Sequence, residues 1–180
     1  MTGWSNSGKD TVGRYLVRNH GFKRFAFADE LKDLASELYG FPRHLADTQG
    51  GKETRWRVGY GEKTIRQILI DIALIDKRRF GTTIYADSLV KQLAKESPDT
   101  NIVITDARYL YEIEAILQFA VSKQAGCRVW QTKREGQIES PVNDLSEYAL
   151  QTFVPDRILE NTGITPQNLF TQVDDELLHT

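Results

Sequence analysis

The residues with the clearest chemistry stand at the start of the chain. Gly3 and the Gly8–Lys9 pair fall at the spacing G-x-x-x-x-G-K. Glycines at that spacing let successive backbone N–H groups turn around a polyphosphate. An apolar-periodic segment follows, with Val12, Tyr15 and Leu16 on one face and a stop at Gly21. The loop therefore opens into a helix whose positive end faces the same phosphates. Lys9 would bridge the β- and γ-phosphates and neutralise charge during transfer. Position 10, where this pattern commonly has Ser or Thr to hold magnesium, is Asp10, followed by Thr11. The plainer alternative is a chance glycine-rich turn ahead of a helix.

Further candidates lie along the chain. Asp106 ends the most apolar run, Asn101 to Thr105. A carboxylate beyond the carboxyl end of a parallel strand can hold magnesium directly or through water. Arg108, two residues on, could face phosphates, or the two could form a structural Asp–Arg pair. Arg66 follows the start of a regular amphipathic helix, where its planar fork could take a phosphate in a contact of about 1.5–3 kcal/mol; a solvated helix face is the alternative. Asp29, between a strand and a helix, reads first as an N-cap. Lys133 and Arg134 follow a strand and precede a loop, where cations could meet a transferring phosphoryl group or simply face solvent. Lys77, Arg78 and Arg79 read as a solvated helix end. Trp56 and Tyr60 could stack on a base or patch the core. Cys127 reads as a buried strand residue.

The elements that must position these residues alternate. A short strand is expected within 22–28 and a helix from Asp29 with the stripe Leu31, Leu34, Ala35 and Leu38. A polar, glycine-bearing excursion over about 40–63 reads as a loop. Thr64 and Gln67 have the capping-box spacing, opening a helix with Ile65, Ile68, Leu69, Ile72 and Ile75 inward. Helices are expected at 84–95, 112–120, 146–153 and from Pro166 to about 178, and strands at 101–105, 127–131 and 157–159. Alternation of this kind predicts an α/β fold, a parallel sheet with helices on both faces, as one domain.

Composition narrows the classes. The 180 residues carry 23 Lys and Arg against 25 Asp and Glu, a net charge of −2. That balance gives no electrostatic reason to expect nucleic-acid or membrane binding. The content is 40% hydrophobic and 27% charged, that of a globular protein and not a disordered chain. One cysteine excludes an internal disulfide framework, and His20, His44 and His179 have no ligand-like spacing. No run is long enough to span a bilayer. A reducing, cytoplasmic setting is the simplest expectation.

SGKDT, Ser7 to Thr11, resembles the P-loop of phage-type deoxynucleoside monophosphate kinases, and also that of animal phosphomevalonate kinases, in which Asp stands at the same place. Further segments resemble the kinase family in order: Phe27 to Gly40; Gly61 to Ala73 with its Thr-x-Arg helix; Ile102 to Ile116 with Asp-x-Arg; Val129 to Arg134 leading to a basic lid over about 133–145; and Leu145 to Gly163 with its Ser-Glu segment and a closing strand with Asn. Two positions depart from the family pattern: Tyr111 precedes Glu112 where Asn is usual, and Asn143-Asp144 stands where His is usual.

The resemblance implies a three-layer P-loop NTPase fold and transfer of the ATP γ-phosphate to a (deoxy)nucleoside 5′-monophosphate, with ATP and Mg2+ required. It implies a donor loop of Gly3, Asn6, Ser7, Gly8, Lys9, Asp10 and Thr11, and catalytic roles for Lys9, Arg66, Asp106 and Arg134. Acceptor contacts would come from Asp29, Lys32, Arg66, Arg108 and Glu147, and magnesium would be held by Asp10 and Asp106. The partners would be small-molecule nucleotides, with a homodimer as a possible assembly. A phosphomevalonate-type acceptor and a non-catalytic nucleotide-binding remnant are the alternative readings. A P-loop normally follows a buried central strand, and only Met1 and Thr2 precede Gly3, so the expectation is a fragment whose first strand is truncated.

Overall fold

The computed structural model describes residues 1–3, 6–136, 153–163 and 165–178. Glu147, the expected helix before residue 153 and the lid beyond residue 136 lie outside the described residues. Helices alternate with short parallel strand pairs, so the chain is an α/β protein. Among the described residues, no helix is long and apolar enough to cross a membrane. The chain divides into two compact units, Met1–Ala26 with Leu89–Thr180, and Phe27–Ser88.

In the first unit, α1 (Lys9–His20) ends where Gly21 adopts φ 69° and donates its N–H to the Leu16 carbonyl. That left-handed C-cap is the conformation glycine accepts without a Cβ penalty. β1 (Lys23–Phe25) pairs in parallel with β4 (Ile102–Ile104). β5 (Trp130–Arg134) pairs in parallel with β6 (Arg157–Asn161). The first two residues join the pairs. Thr2 N donates to Trp130 O at 2.8 Å and Thr132 N to Thr2 O at 3.0 Å, while the Met1 amine donates to Ile104 O at 2.6 Å. The resulting order is β1, β4, Met1–Thr2, β5, β6. α6 (Leu110–Ser122) follows β4, and α7 (Gln167–Leu178) packs against β6 and α1. Val12, Leu16, Val103, Trp130, Leu159, Leu169 and Val173 form this unit's core. β5 starts three residues later than expected, and Cys127 is exposed ahead of it, not buried within a strand.

In the second unit, α2 (Asp29–Tyr39) leads into a 3-10 turn (Arg43–Ala46), then α3 (Gln49–Lys52), β2 (Arg55–Val58), β3 (Gly61–Thr64) and α4 (Ile65–Phe80). The expected loop over 40–63 is thus largely regular structure. β2 and β3 form an antiparallel hairpin with Val58 opposite Gly61. Its tip is Gly59–Tyr60, with Gly59 at φ 59°; a glycine with positive φ at the first central position is what a type II′ turn demands. The capping box of α4 forms as expected, with Gln67 N donating to Thr64 Oγ1 and Thr64 N to Gln67 Oε1. The core comprises Leu31, Ala35, Phe41, Ala46, Ile65, Ile68, Leu69 and Ile72. Two expected core residues are mostly exposed, Leu38 at 64% and Ile75 at 60%, and Leu34 is partly exposed. Each lies on the flank of its helix, beyond the stripe that the facing elements cover. Trp56 donates its indole N–H to Tyr39 O at 2.8 Å and packs edge-on against Phe41, patching this core, whereas Tyr60 is fully exposed. α5 (Ile84–Leu93) begins in this segment and runs past its end.

Candidate functional site

The loop ahead of α1 has the backbone its glycines anticipate. Gly3, Asn6 and Gly8 have φ of 132°, 61° and 117°. A Cβ at Gly3 would collide with Thr132 O and lie 2.8 Å from both Ser7 Oγ and Thr132 Oγ1. At Gly8 it would lie 3.0 Å from Asn161 Nδ2 and Leu169 Cδ1. Both positions are restricted to glycine by conformation and by space. Ser7 is fully buried and shares a 2.6 Å hydrogen bond with Thr132 Oγ1. Lys9 Nζ reaches back across the loop to donate to Gly3 O at 2.6 Å. Gly8, the residue before α1, provides no side-chain cap, so the helix dipole and its first N–H groups open toward the loop. Asp10 is exposed in the first turn of α1, and Thr11 Oγ1 accepts from Arg14 at 3.5 Å.

The ends of three strands in the same unit carry polar groups. Asp106 is half-buried just beyond β4, and Arg108 is exposed two residues later. The Met1 amine registers both Asp106 and Lys9. Burial lowers it to about 6, the Asp106 carboxylate opposing that shift and Lys9 adding to it. Backbone N–H groups of Arg108 and Tyr109 donate to Glu112 Oε2 at 2.7 and 3.1 Å; the buried Glu112 therefore orders the turn after Asp106. Arg134 ends β5 directly opposite Asn161, the end of β6. Asn161 Nδ2 donates to Ser7 O at 2.9 Å, and its Oδ1 accepts from Gly163 N at 2.9 Å. The Arg134 guanidinium lies over Gly163, where a Cβ would come within 3.3 Å of Nε.

Asp29, Lys32 and Arg66 belong to the second unit. Asp29 is the first helical residue of α2, and Ala28 occupies the cap position. The expected N-cap role for Asp29 is therefore overturned, its carboxylate instead meeting Arg43 at 3.4 Å and Lys32 at 3.7 Å. Lys32 also meets Asp47 at 3.1 Å, and Arg43 ties Asp33 and Asp47 into the same network. Arg66 donates from Nε to Glu53 Oε1 and from Nη2 to Gln49 Oε1, both at 2.7 Å. A carboxylate and an amide oxygen thus engage the fork that a phosphate would use.

Neither a protein-family model nor a curated protein matches this chain. The chemistry of the site rests on its own residues. For magnesium, Asp10 and Asp106 offer hard oxygen donors, and this ion is commonly held by one or two carboxylates together with substrate phosphates. Among the described residues, no group of three His, Cys, Asp or Glu forms a metal set.

Sequence reasoning passed over two residues of the loop's wall. Thr132 was hidden in a strand whose alternation alone does not reveal a buried hydroxyl. Asn161 was read only as part of the closing strand; Asn-x-Gly at a strand end is the signal that could have drawn attention to it.

Proposed function

We propose that this chain is a P-loop phosphotransferase, with a three-layer P-loop fold, that moves the γ-phosphate of ATP to a (deoxy)nucleoside 5′-monophosphate. The observation that carries the reading is the loop itself: positive-φ Gly3 and Gly8, the Lys9 ammonium drawn back onto Gly3 O, and an uncapped helix N-terminus immediately after. Together these supply N–H dipoles at a helix start and one cation beside them, which is what a polyphosphate needs.

In the proposed reaction an acceptor phosphate oxygen forms a bond to the γ-phosphorus, and the bond from that phosphorus to the β–γ bridging oxygen breaks. ADP leaves with the electron pair. Positioning and charge neutralisation account for nearly all of the catalysis in such transfers. Lys9 neutralises the transferring group. Arg134 at the end of β5 contributes a second cation, and Arg108 a contact to phosphate. Arg66 offers its fork to the acceptor phosphate, exchanging Glu53 and Gln49 for it, with Asp29 and Lys32 beside the acceptor. Magnesium, held by Asp10 and Asp106, would supply further neutralisation of the phosphates.

The test is to incubate the protein with ATP, magnesium and a panel of acceptors comprising the deoxynucleoside monophosphates and phosphomevalonate. A nucleoside diphosphate product supports the reading. Product from phosphomevalonate alone transfers it to the other acceptor class. Folded protein giving no product from any acceptor overturns it, and nucleotide binding without turnover would point to a non-catalytic module.

A further inference from the structure

We propose that Asn161 is a positioning residue that holds the Ser7–Gly8 peptide in its anion-binding orientation. The proposal rests on the phosphate-loop reading above and goes beyond it by naming what sets the loop's decisive amide. The orientation of the Asn161 side chain follows from its partners. Gly163 N–H can only donate, so the atom it meets at 2.9 Å is Oδ1, and the amide group that remains, Nδ2, faces Ser7 O at 2.9 Å. Ser7 O is thereby pulled toward the end of β6. Among the described residues no peptide is cis, and in a planar trans peptide the N–H points opposite to the C=O. Fixing Ser7 O on Asn161 therefore directs the Gly8 N–H away from Asn161.

Gly8 has special need of such a restraint. At φ 117° and ψ 3° it lacks the Cβ that confines other residues, so its preceding peptide has little intrinsic barrier to turning over. A turned peptide would aim the Ser7 carbonyl, a negative dipole end, where the N–H now points. Three features oppose that rotation on the other side. Ser7 is anchored by Thr132 Oγ1 at 2.6 Å, Leu169 Cδ1 lies beside Gly8, and Asn161 is itself clamped by Gly163. The same turn bears on Arg134, which is the register partner of Asn161 and lies over Gly163. One side chain thus aligns a backbone donor of the loop, and its own anchor residue lies against the cation at the end of β5.

The experiment compares wild type with Asn161→Asp, reading pyrophosphate and ATP binding by calorimetry alongside thermal stability. The replacement preserves size and the acceptor for Gly163 N–H but sets an oxygen against Ser7 O. Loss of pyrophosphate affinity of roughly tenfold or more is expected, with recovery as the pH is lowered into the acid range, because the protonated carboxyl regains a donor for Ser7 O. A merely structural role would move melting temperature without that pH-dependent return. Equal affinity in variant and wild type overturns the proposal and leaves the phosphate loop standing. Wild-type protein that binds neither probe overturns the loop reading and this proposal with it. If Asn161→Asp does not fold, Asn161→Ala, which removes both the donor to Ser7 O and the acceptor for Gly163 N–H, must show the same drop, and unchanged affinity there overturns the proposal equally.

Discussion

Gly13 lies buried in the interior of α1, where alanine would ordinarily be favoured by about 1 kcal/mol. Here a Cβ would drive into Thr105 Cγ2, at the contact between α1 and the end of β4. Thr105 is buried and β-branched, so its methyl has few rotamers in which to retreat. Overpacking of this kind costs about 1–3 kcal/mol. Gly13→Ala should therefore be neutral to destabilising by about 2 kcal/mol, the helix gain offsetting part of the clash. Thr105→Ser removes only the methyl and keeps the hydroxyl that accepts from Arg24 Nε at 3.2 Å. In that background Gly13→Ala should stabilise by about 1 kcal/mol. Urea denaturation of the four proteins measures the cycle, and the expected coupling is about 1–3 kcal/mol, the overpacking term itself. If Gly13→Ala has the same effect in both backgrounds, the close approach is not what keeps position 13 a glycine. The contact matters beyond stability because Thr105 precedes Asp106 and Gly13 follows the loop by one helical turn.

Lys9→Met should reduce phosphoryl transfer by roughly 100-fold or more while the far-ultraviolet circular dichroism stays unchanged; equal turnover would remove Lys9 from the chemistry. Arg66→Lys retains charge but loses the planar fork, so acceptor KM should rise by roughly tenfold or more with a smaller change in ATP affinity, measured by steady-state kinetics. For Asp47, burial alone would raise the carboxyl, but hydrogen bonds from Arg43 and Lys32 outweigh it and hold it below the ordinary range. Its contribution is present above the usual Asp value and lost as pH falls through the lowered one. The side chain is half-exposed, so Asp47→Asn should cost no more than about 1 kcal/mol near neutrality, a gap that closes in acid. The Met1 amine is lowered to about 6 from 8.0, so between those values the unfolded chain binds more protons. Stability of the 180-residue polypeptide should rise across that window by ~3 kcal/mol. Acetylating the amine should flatten the rise, which chemical denaturation across pH would detect.

Much of the local structure was legible because its causes are local. The α4 capping box, the Gly21 stop of α1 and the apolar run of β4 each depend on neighbours in sequence, and each formed as expected. The excursion over 40–63 was misread because its elements are short and charged. Arg55 and Arg57 alternate with Trp56 and Val58 in strand fashion, but four residues are too short a run to stand out, and the hairpin is held by tertiary contacts such as Trp56 to Tyr39. Leu38 and Ile75 illustrate the limit of periodicity, which marks an apolar stripe but not how much of it the facing elements cover. In the loop, glycine spacing anticipated the positive φ of Gly3 and Gly8. It could not reveal that Asn161 and Thr132, far along the chain, form its wall. The ion network of Asp29, Lys32 and Arg43 was equally invisible, since pairing across elements leaves no periodic trace.

The second unit is one continuous stretch, and the first is assembled from the two flanking segments. Its joining contacts are long in sequence: 103 residues separate Met1 from Ile104, and 125 separate Ser7 from Thr132. Closing loops of that length carries an entropy cost before any contact forms. The hairpin and the α4 cap, by contrast, close over a few residues and face almost none of it. Order in the middle of the chain can therefore precede order at its ends, and a structured middle shortens the effective path between them. The glycine-bearing loop ahead of α1, whose wall is made of those distant partners, would be among the last parts of the molecule to take shape.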